Sequence, residues 1–229
     1  LITRVGKPTA FCIKSIENRG GRLIAVLSRR MAQEKCAREY LAALRAGDLI
    51  PARVTHMEPF GAFLDIGCGI SSLLSVDCIS VSRISHLRDR LRVGAELFVA
   101  IKSMDRESGR IYVTLRELLG TWEQNAARFT PGQTVAGIVR SVEEYGVFVE
   151  LAPNLAGLAE LREGVCPGQQ ASVYIKSIIP EKMKFKLIIV DAFNAEYPRI
   201  KPHYFIKSGH IDTFRYSPEF CYKNISTTF

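Results

Sequence analysis

Three segments of the chain alternate apolar and polar residues with a period of two, interrupted once by a short polar stretch. They run as "VGKPTAFCIKSIENRGGRLIAVLSRR" from Val5, "VGAELFVAIKSMDRESGRIYVTLREL" from Val93 and "PGQQASVYIKSIIPEKMKFKLIIVDAF" from Pro167. Each has a glycine near its start and Ile-Lys-Ser before the polar stretch. Alternation of this period, bounded by turn residues, is typical of two strands joined as a hairpin. We therefore predict three related β-hairpins.

A second repeated pattern precedes the last two hairpins. The segment "GDLIPARVTHMEPFGAFLDIGCGISSLL" from Gly47 matches "GQTVAGIVRSVEEYGVFVELAPNLAGLA" from Gly132. Each copy predicts two strands joined by a short turn, followed by a third strand. A complete unit then has five strands in about 65 to 75 residues, the size of a small OB-type Greek-key barrel. The predicted fold is mainly β, with tandem five-stranded OB-fold barrels joined by short helical linkers.

The repeats divide the chain into four predicted domains of unequal completeness. Residues 1–46 hold the C-terminal half of a first OB-type repeat plus a helical linker, and residues 47–129 hold a complete OB domain plus a second linker. Residues 130–192 hold a shorter, degenerate OB domain, and residues 193–229 form an aromatic-rich C-terminal tail. The half repeat leaves open whether a further segment precedes Leu1.

Charge favours a polyanionic partner, although its distribution limits that inference. The 229 residues include 31 Lys and Arg against 23 Asp and Glu, a net charge of +8. Ten of the basic residues but only three of the acidic ones lie in residues 1–46. A basic balance favours nucleic acid as a partner. A nucleic-acid site in the middle of the chain must therefore depend on the local arrangement of charges.

Composition argues against several other classes of protein. No apolar run approaches the ~20 residues that cross a bilayer, so we expect no membrane partner. Six cysteines without a C-x-x-C pair favour reduced thiols in a cytosol over a disulfide framework or a zinc site. No Ser/His/Asp or Cys/His set and no phosphate-binding glycine loop stands out. We expect a cytoplasmic protein that is not an enzyme and binds no cofactor or metal; its oligomeric state stays open.

The second repeat resembles a known family. Its run of Phe-Gly-Ala-Phe-Leu-Asp, Leu-Leu, Val-Gly, Ile-Lys-x-x-Asp and Gly-Arg-Ile-x-x-x-Leu looks like the S1 RNA-binding domain, an OB-fold repeat. The resemblance covers residues 47–118 well, 132–192 more loosely and 1–28 as a half. It implies a protein that binds single-stranded RNA or mRNA through surface aromatics and basic residues. It also implies a role in translation, with the ribosome as a further partner.

The resemblance implies which side chains contact RNA in the second repeat. By position they are the rings of Phe60 and Phe63, the cation Arg53, and the pair Asp105 and Arg110 at the last hairpin. For Asp105, a turn-capping role and a nucleic-acid role both stay open.

Two further positions of the second repeat change this picture. Ser75 stands where the family has a histidine, so the histidine contact is absent. Alternation places Lys102 and Tyr112 on the solvent side of the last hairpin with Arg110. A solvated face and an RNA contact are both open for these side chains.

The third repeat keeps only part of the set. Tyr145 and Phe148 retain the two rings, and Lys184 replaces the hairpin arginine. We therefore expect the third repeat to be degenerate as an RNA reader and the second repeat to be the main one. At three further positions this repeat lacks the basic residue, the histidine and the aspartate that the family has there, and it has instead Ile138, Glu160 and Ile179.

Strand alternation indicates which ring faces solvent. Ile50, Val54, Leu64 and Ile66 form a consistent inward set, so Phe63 should point out of the barrel. An exposed ring stacks on any base, worth roughly 1–3 kcal/mol per base with little sequence preference. The alternative is that the rings only hold the barrels together.

The leading hypothesis is a non-enzymatic protein that binds single-stranded RNA. One alternative is a protein-interaction scaffold that docks on the ribosome or an RNA-processing complex. Another is an RNA-processing enzyme whose catalytic domain lies upstream of these repeats.

The tail holds nine aromatic side chains and three prolines in residues 193–229. This composition is too apolar for a disordered tail and unsuited to a long helix. We expect it to dock on a barrel, where it completes a core or covers an edge. The alternative is a second stacking surface with the cations Lys201, Lys207 and Arg215.

Overall fold

The part of the chain that the structure describes forms two closed five-stranded barrels, two separate two-stranded sheets and two short α-helices. This architecture confirms the predicted fold class, mainly β with tandem OB-type barrels joined by short helical linkers. The computed structural model describes residues 9–84, 86–105, 107–195 and 202–229. Positions named above that lie outside these ranges are Leu1, Val5 and Lys201.

The first predicted hairpin is an antiparallel pair of strands, β1 (Cys12–Arg19) and β2 (Arg22–Ser28). Two glycines with positive φ form the turn between the strands, at Gly20 and Gly21. This conformation is open to glycine at little cost. The sheet leaves large apolar side chains exposed: Phe11, Ile13, Ile16, Leu23, Ile24 and Leu27.

A helical linker, α1 (Arg29–Glu39), joins this hairpin to the next barrel. It begins at Ser28, whose hydroxyl accepts the third backbone N–H of the helix and satisfies one of its free donors. Arg29 and Gln33 donate from their side chains to the carbonyl of Gly69 in the barrel, at 3.2 and 3.1 Å. The linker is therefore attached to the barrel that follows it.

The second repeat forms the N-terminal barrel. Its strands follow the order β3–β4–β5–β7–β6 around the closed sheet, and β5 and β7 are parallel while the other neighbours are antiparallel. The strands are β3 (Leu49–Glu58), β4 (Gly61–Asp65), β5 (Ser71–Ser75), β6 (Glu96–Asp105) and β7 (Arg110–Thr114).

The core of the N-terminal barrel follows the predicted alternation. Ile50, Val54, Leu64 and Ile66 are all buried, which confirms them as the inward set. Burial of each such side chain contributes roughly 1.5–3 kcal/mol to folding. The outer side of the same strands is consequently available for polar and aromatic residues such as Phe63.

The third repeat forms the C-terminal barrel. Its strands close in the equivalent order, β8–β9–β10–β12–β11, with β10 and β12 parallel. The strands are β8 (Thr134–Glu143), β9 (Gly146–Ala152), β10 (Leu155–Ala159), β11 (Gln170–Ile179) and β12 (Lys184–Phe193).

The linker between the barrels contains the short helix α2 (Trp122–Ala126). Thr121 and Gln124 form a reciprocal capping box at its start, which satisfies two backbone donors. The ring of Trp122 packs on Phe185 of β12, with centroids 5.8 Å apart, so α2 lies against the C-terminal core. Within the described part of the chain, no helix has the length and apolar character to cross a membrane.

The long connection between β5 and β6 contacts the C-terminal barrel. In it, the N–H of Val81 donates to Oδ1 of Asn154, at 3.0 Å. The side-chain amide of Asn154 donates in turn to the carbonyls of Arg116 and Gly120, at 2.8 and 3.0 Å. Asn154 is fully buried, so one side chain links the connection, the linker and the turn between β9 and β10.

The tail docks between the barrels. It contains a small antiparallel pair, β13 (Thr213–Arg215) and β14 (Ser226–Thr228). Phe214 and Tyr216 are buried with the core of the C-terminal barrel. The hydroxyl of Tyr216 donates to the carbonyl of Asn154 at 2.5 Å, and burial raises the pKa of this tyrosine.

The tail also contacts the N-terminal barrel and the linker. Nδ1 of His210 lies 2.7 Å from Oδ1 of Asp48, and the backbones of these residues form a β-bridge. The N–H of Phe205 donates to the carbonyl of Leu118 at 2.9 Å. The tail thus contacts both barrels and the linker.

Replacement of Gly120 by alanine is expected to loosen the tail. The φ of Gly120 is +84°, and an added Cβ would lie 2.4 Å from the ring of Phe205. We expect a loss of roughly 2–4 kcal/mol in the free energy of unfolding, since a steric clash adds to the backbone strain. Gly132→Ala is the matched control, because Gly132 has a φ of +90° and open space around the position of a Cβ. Equal losses in denaturant unfolding of the two variants would contradict the proposed clash.

Candidate nucleic-acid interface

Phe60 and Phe63 lie where the chain turns from β3 into β4. Their rings meet edge to face, with centroids 6.1 Å apart and an interplanar angle of 89°. Phe60 is 56% exposed and Phe63 is half-buried. A Cβ on the intervening Gly61 would lie 2.6 Å from the carbonyl oxygen of Leu74, so glycine permits β5 to approach this turn. Both rings are held outside the barrel, and Phe63 points in the direction that the alternation predicts.

The pairing of the strands extends Phe63 into a row across the outer face. His56 pairs with Phe63, Phe63 with Leu73, and Leu73 with Tyr112. Side chains paired on neighbouring strands point to the same face, with Cβ atoms about 4.5–5.5 Å apart. The row therefore presents three flat rings and one leucine on the outside of β3, β4, β5 and β7.

His56 is a member of this row that the sequence analysis did not predict as a site residue. Its ring stacks on Phe63, with centroids 6.3 Å apart and an interplanar angle of 24°. Its Nε2 lies 2.5 Å from Oε1 of Glu58. The register of β3 and β4 shifts between Val54 and His56, so simple alternation along β3 does not place this ring beside Phe63.

Asp105 and Arg110 face each other at the end of the β6–β7 hairpin. The carboxylate of Asp105 accepts the backbone N–H groups of Glu107 and Ser108, at 3.0 and 3.2 Å, and also the hydroxyl of Ser108. The Ser108 hydroxyl is the main reason that the pKa of Asp105 lies below its usual range. Asp105 thus organises the turn, while Arg110 is exposed and forms no ion pair among the described residues.

Lys102 lies at a different edge of the face. Its Nζ is 3.1 Å from Sγ of Cys78. This hydrogen bond is the largest cause of a raised pKa for Lys102, and the charge of Asp77 adds to it. The N–H of Val76, just before these two residues, donates to the carbonyl of Phe60. Lys102 is therefore a protonated cation on the Phe60 side of the face.

Arg53 has carboxylates on both neighbouring strands. In the strand register, Arg53 lies opposite Asp65 on β4 and opposite Glu96 on β6. It lines a separate groove of about 520 Å³, together with Phe98 and Tyr204. Arg53 forms no ion pair among the described residues, and it lies in a groove that does not include the ring pair.

The C-terminal barrel repeats the ring pair. The rings of Tyr145 and Phe148 have centroids 6.1 Å apart and an interplanar angle of 88°, and Tyr145 is 69% exposed. A Cβ on Gly146 would lie 2.5 Å from the carbonyl oxygen of Ala159, so the same close approach of strands recurs. The two barrels display their rings in the same geometry.

The polar surroundings of the second ring pair differ from those of the first. Ile138 is buried opposite Glu150. Glu160 is exposed and forms an ion pair with Lys176 at 3.7 Å, which offsets its negative charge. Lys184 is exposed at the start of β12.

The structure therefore groups the nine predicted site residues unevenly. Each of the two ring pairs is in edge-to-face contact, Asp105 and Arg110 face each other across the β6–β7 hairpin, and Arg53 lies in a separate groove. Such a face can stack bases and neutralise phosphates with little sequence preference. Six of the nine lie on the N-terminal barrel and three on the C-terminal barrel: Arg53, Phe60, Phe63, Lys102, Asp105 and Arg110, then Tyr145, Phe148 and Lys184.

Comparison with known proteins gives one family match and a set of relatives. The model of the S1 RNA binding domain matches residues 43–116. A Bacillus subtilis protein, the small ribosomal subunit protein bS1 homolog, is 30% identical over 163 residues, which is 69% of this chain and 42% of that protein. Small ribosomal subunit protein bS1 of Staphylococcus aureus is 31% identical, over 66% of this chain and 41% of that protein. The chain thus spans about two fifths of the length of these relatives.

Solved structures show more distant similarity. A Streptococcus pneumoniae multidomain protein with nucleic acid binding domains is 18% identical, with a TM-score of 0.31, over 65% of this chain and 54% of that chain. The family match is more specific, since residues 43–116 contain all five strands of the N-terminal barrel and its displayed rings. Residues 43–116, which form the N-terminal barrel, are therefore an S1 RNA-binding domain.

Proposed function

We propose that the chain binds single-stranded RNA on the outer face of the N-terminal barrel. Phe60, Phe63 and Tyr112 stack bases, while Arg110 and Lys102 neutralise phosphates on either side of the rings. The observation that carries this proposal is the edge-to-face ring pair at the corner of a closed barrel, inside the segment that matches the family. Rings in a core would face inward, and these two do not.

The same proposal extends to translation. The relatives are named as proteins of the small ribosomal subunit, and the similarity to them covers about two thirds of this chain. We propose a cytoplasmic protein that binds mRNA in association with the ribosome and does no chemistry of its own. The face supports this role because stacking and charge contacts accept many sequences, as mRNA binding requires.

Titration with a fluorescent, unstructured RNA tests the proposal. We expect binding at 50 mM salt that weakens as salt rises, because each neutralised phosphate releases a counterion. With two or three phosphates held by the cations of the face, the slope of log K against log salt should be about −1.4 to −2.

Two outcomes would contradict RNA binding. The first is no change in anisotropy at low salt with the folded chain. The second is recovery of ribosomal or RNA-processing proteins on the immobilised chain after nuclease treatment, unaffected by replacement of the rings. The second result would favour the protein-interaction scaffold.

A further inference from the structure

A cleft of about 730 Å³ lies where the two barrels and the tail meet. The ring pair Tyr145 and Phe148 lines one side, residues 81–84 of the β5–β6 connection line another, and Lys223 and Ile225 of the tail line a third. Its volume falls in the range of roughly 300–1,000 Å³ that is usual for ligand sites. We call it the composite cleft, since three separate parts of the chain form it.

The composite cleft is rich in positive charge. Arg83, Lys182, Lys184 and Lys223 line it, all four are exposed, and none forms an ion pair among the described residues. Glu143 is the one carboxylate among the lining residues. Concave walls of one charge sign concentrate the field in a cleft and favour a polyanion.

Two of these cations lie beside a constrained turn. Met183, between Lys182 and Lys184, has a φ of +49°, a left-handed conformation that non-glycine residues rarely adopt. Its N–H donates to the carbonyl of Pro180 at 3.0 Å. Strained backbone of this kind is often found at ligand sites, and both Met183 and the exposed ring of Tyr145 line the cleft.

The composite cleft also contains an unsatisfied donor. Trp122 lines the cleft and is 3% exposed, yet its indole N–H has no hydrogen-bond partner in the described part of the chain. The indole can only donate, and buried donors in native proteins are nearly always paired. This unpaired donor belongs to a residue in the wall of the composite cleft.

We propose that the composite cleft binds a segment of single-stranded RNA. A base stacks on the ring pair of the C-terminal barrel, and the adjoining phosphates lie against the four cations of the cleft. This inference rests on the proposed function and adds a second site to it, so one RNA strand contacts both barrels.

The composite cleft explains how a degenerate repeat can still bind RNA. The third repeat has lost basic and polar positions at Ile138 and Glu160. Arg83 of the N-terminal barrel and Lys223 of the tail supply cations beside the same ring pair. The second site therefore exists only while the barrels and the tail are docked together.

The test uses Trp122, the single tryptophan of the chain, as a reporter in the cleft. The full chain is titrated with unstructured RNA while the emission of Trp122 is followed, and labelled RNA reports total binding by anisotropy. The cleft variant is Arg83→Ala with Lys223→Ala. Its control is Arg88→Ala with Lys207→Ala, which removes two exposed cations from the same segments outside the cleft.

We expect RNA to change the emission of Trp122 in the native chain and in the control. The cleft variant should need about tenfold more RNA for the same change, and its salt slope should fall by about 1.4, because two phosphate contacts are lost. Equal behaviour of the cleft variant and the control would overturn the proposal.

Further outcomes separate this proposal from the proposed function. RNA that binds by anisotropy without altering Trp122 emission would overturn the cleft site and leave the N-terminal face intact. A full Trp122 response to ATP, with none to RNA, would overturn it in favour of a free nucleotide. A Trp122 response that persists in the chain with Phe60→Ala and Phe63→Ala would support a site separate from that face. No response by either readout would count against both sites.

Discussion

Replacement of Phe60 and Phe63 together by alanine is expected to weaken binding of single-stranded RNA by at least about tenfold. Each ring that stacks a base contributes roughly 1–3 kcal/mol, and 1.4 kcal/mol corresponds to a factor of ten in affinity. The rings contact each other at 6.1 Å, so the loss of one also removes support from the other. Binding of labelled RNA at low salt measures the effect.

A matched control separates stacking from the general loss of an exposed ring. Phe220 is 59% exposed in the tail, close to the 56% of Phe60, and Phe220→Ala should leave the affinity unchanged. The comparison is repeated in the chain with Arg83→Ala and Lys223→Ala, so that the composite cleft does not mask the loss. An affinity within about twofold of the native chain in that background would exclude the ring pair as the main RNA contact.

Replacement of Glu150 by glutamine is expected to lower the free energy of unfolding by about 3–5 kcal/mol. Glu150 is buried where the β5–β6 connection meets the C-terminal barrel. Its Oε2 lies 2.7 Å from Nε of Arg140 and 2.5 Å from Nη2 of Arg90. Asp89 adds a second carboxylate 2.9 Å from Nη1 of Arg140. Removal of the charge of Glu150 takes away the carboxylate that Arg90 and Arg140 share.

The geometry of this charged cluster makes the expected loss large. The Arg90 contact is close, but its angle does not satisfy a hydrogen bond, so it depends on charge alone. Arg90 and Glu150 are nearly inaccessible to solvent, so water cannot solvate the guanidinium group that loses its ionic partner. Unfolding in denaturant, followed by Trp122 emission and by circular dichroism, measures the loss.

Glu160→Gln is the control for Glu150→Gln. Glu160 also pairs with a cation, Lys176, but both side chains are exposed. An exposed ion pair contributes about 0–1 kcal/mol, so this variant should unfold almost as the native chain does. A loss for Glu150→Gln no larger than that of the control would mean that the cluster does not stabilise the contact between the barrels.

Local patterns in the sequence were sufficient to predict the barrels and the orientation of their side chains. Alternation along β4 predicted that Leu64 is buried and that Phe63 points outward, because neighbouring residues of a strand face opposite sides. The same rule failed at His56, where a bulge shifts the register and brings a third ring beside Phe63.

The surroundings of the second ring pair were harder to predict. Ile138 and Glu160 indicated a degenerate repeat, and that interpretation stays a prediction. Arg83 and Lys223 lie 65 and 75 residues away from Phe148 in the sequence, in elements that have no counterpart in the repeat pattern. Nothing in the local sequence indicates that they line the same cleft.

The sequence by itself determined the two barrels, the positions of their ring pairs and the S1-type character of the N-terminal barrel. Each depends on strand periodicity and on glycines at tight turns, which act over a few residues. Tertiary structure alone decided how the barrels dock, through Asn154 and the charged cluster at Glu150, and where the tail lies. Docking depends on contacts between residues far apart in the chain, and these contacts form only after each barrel has closed.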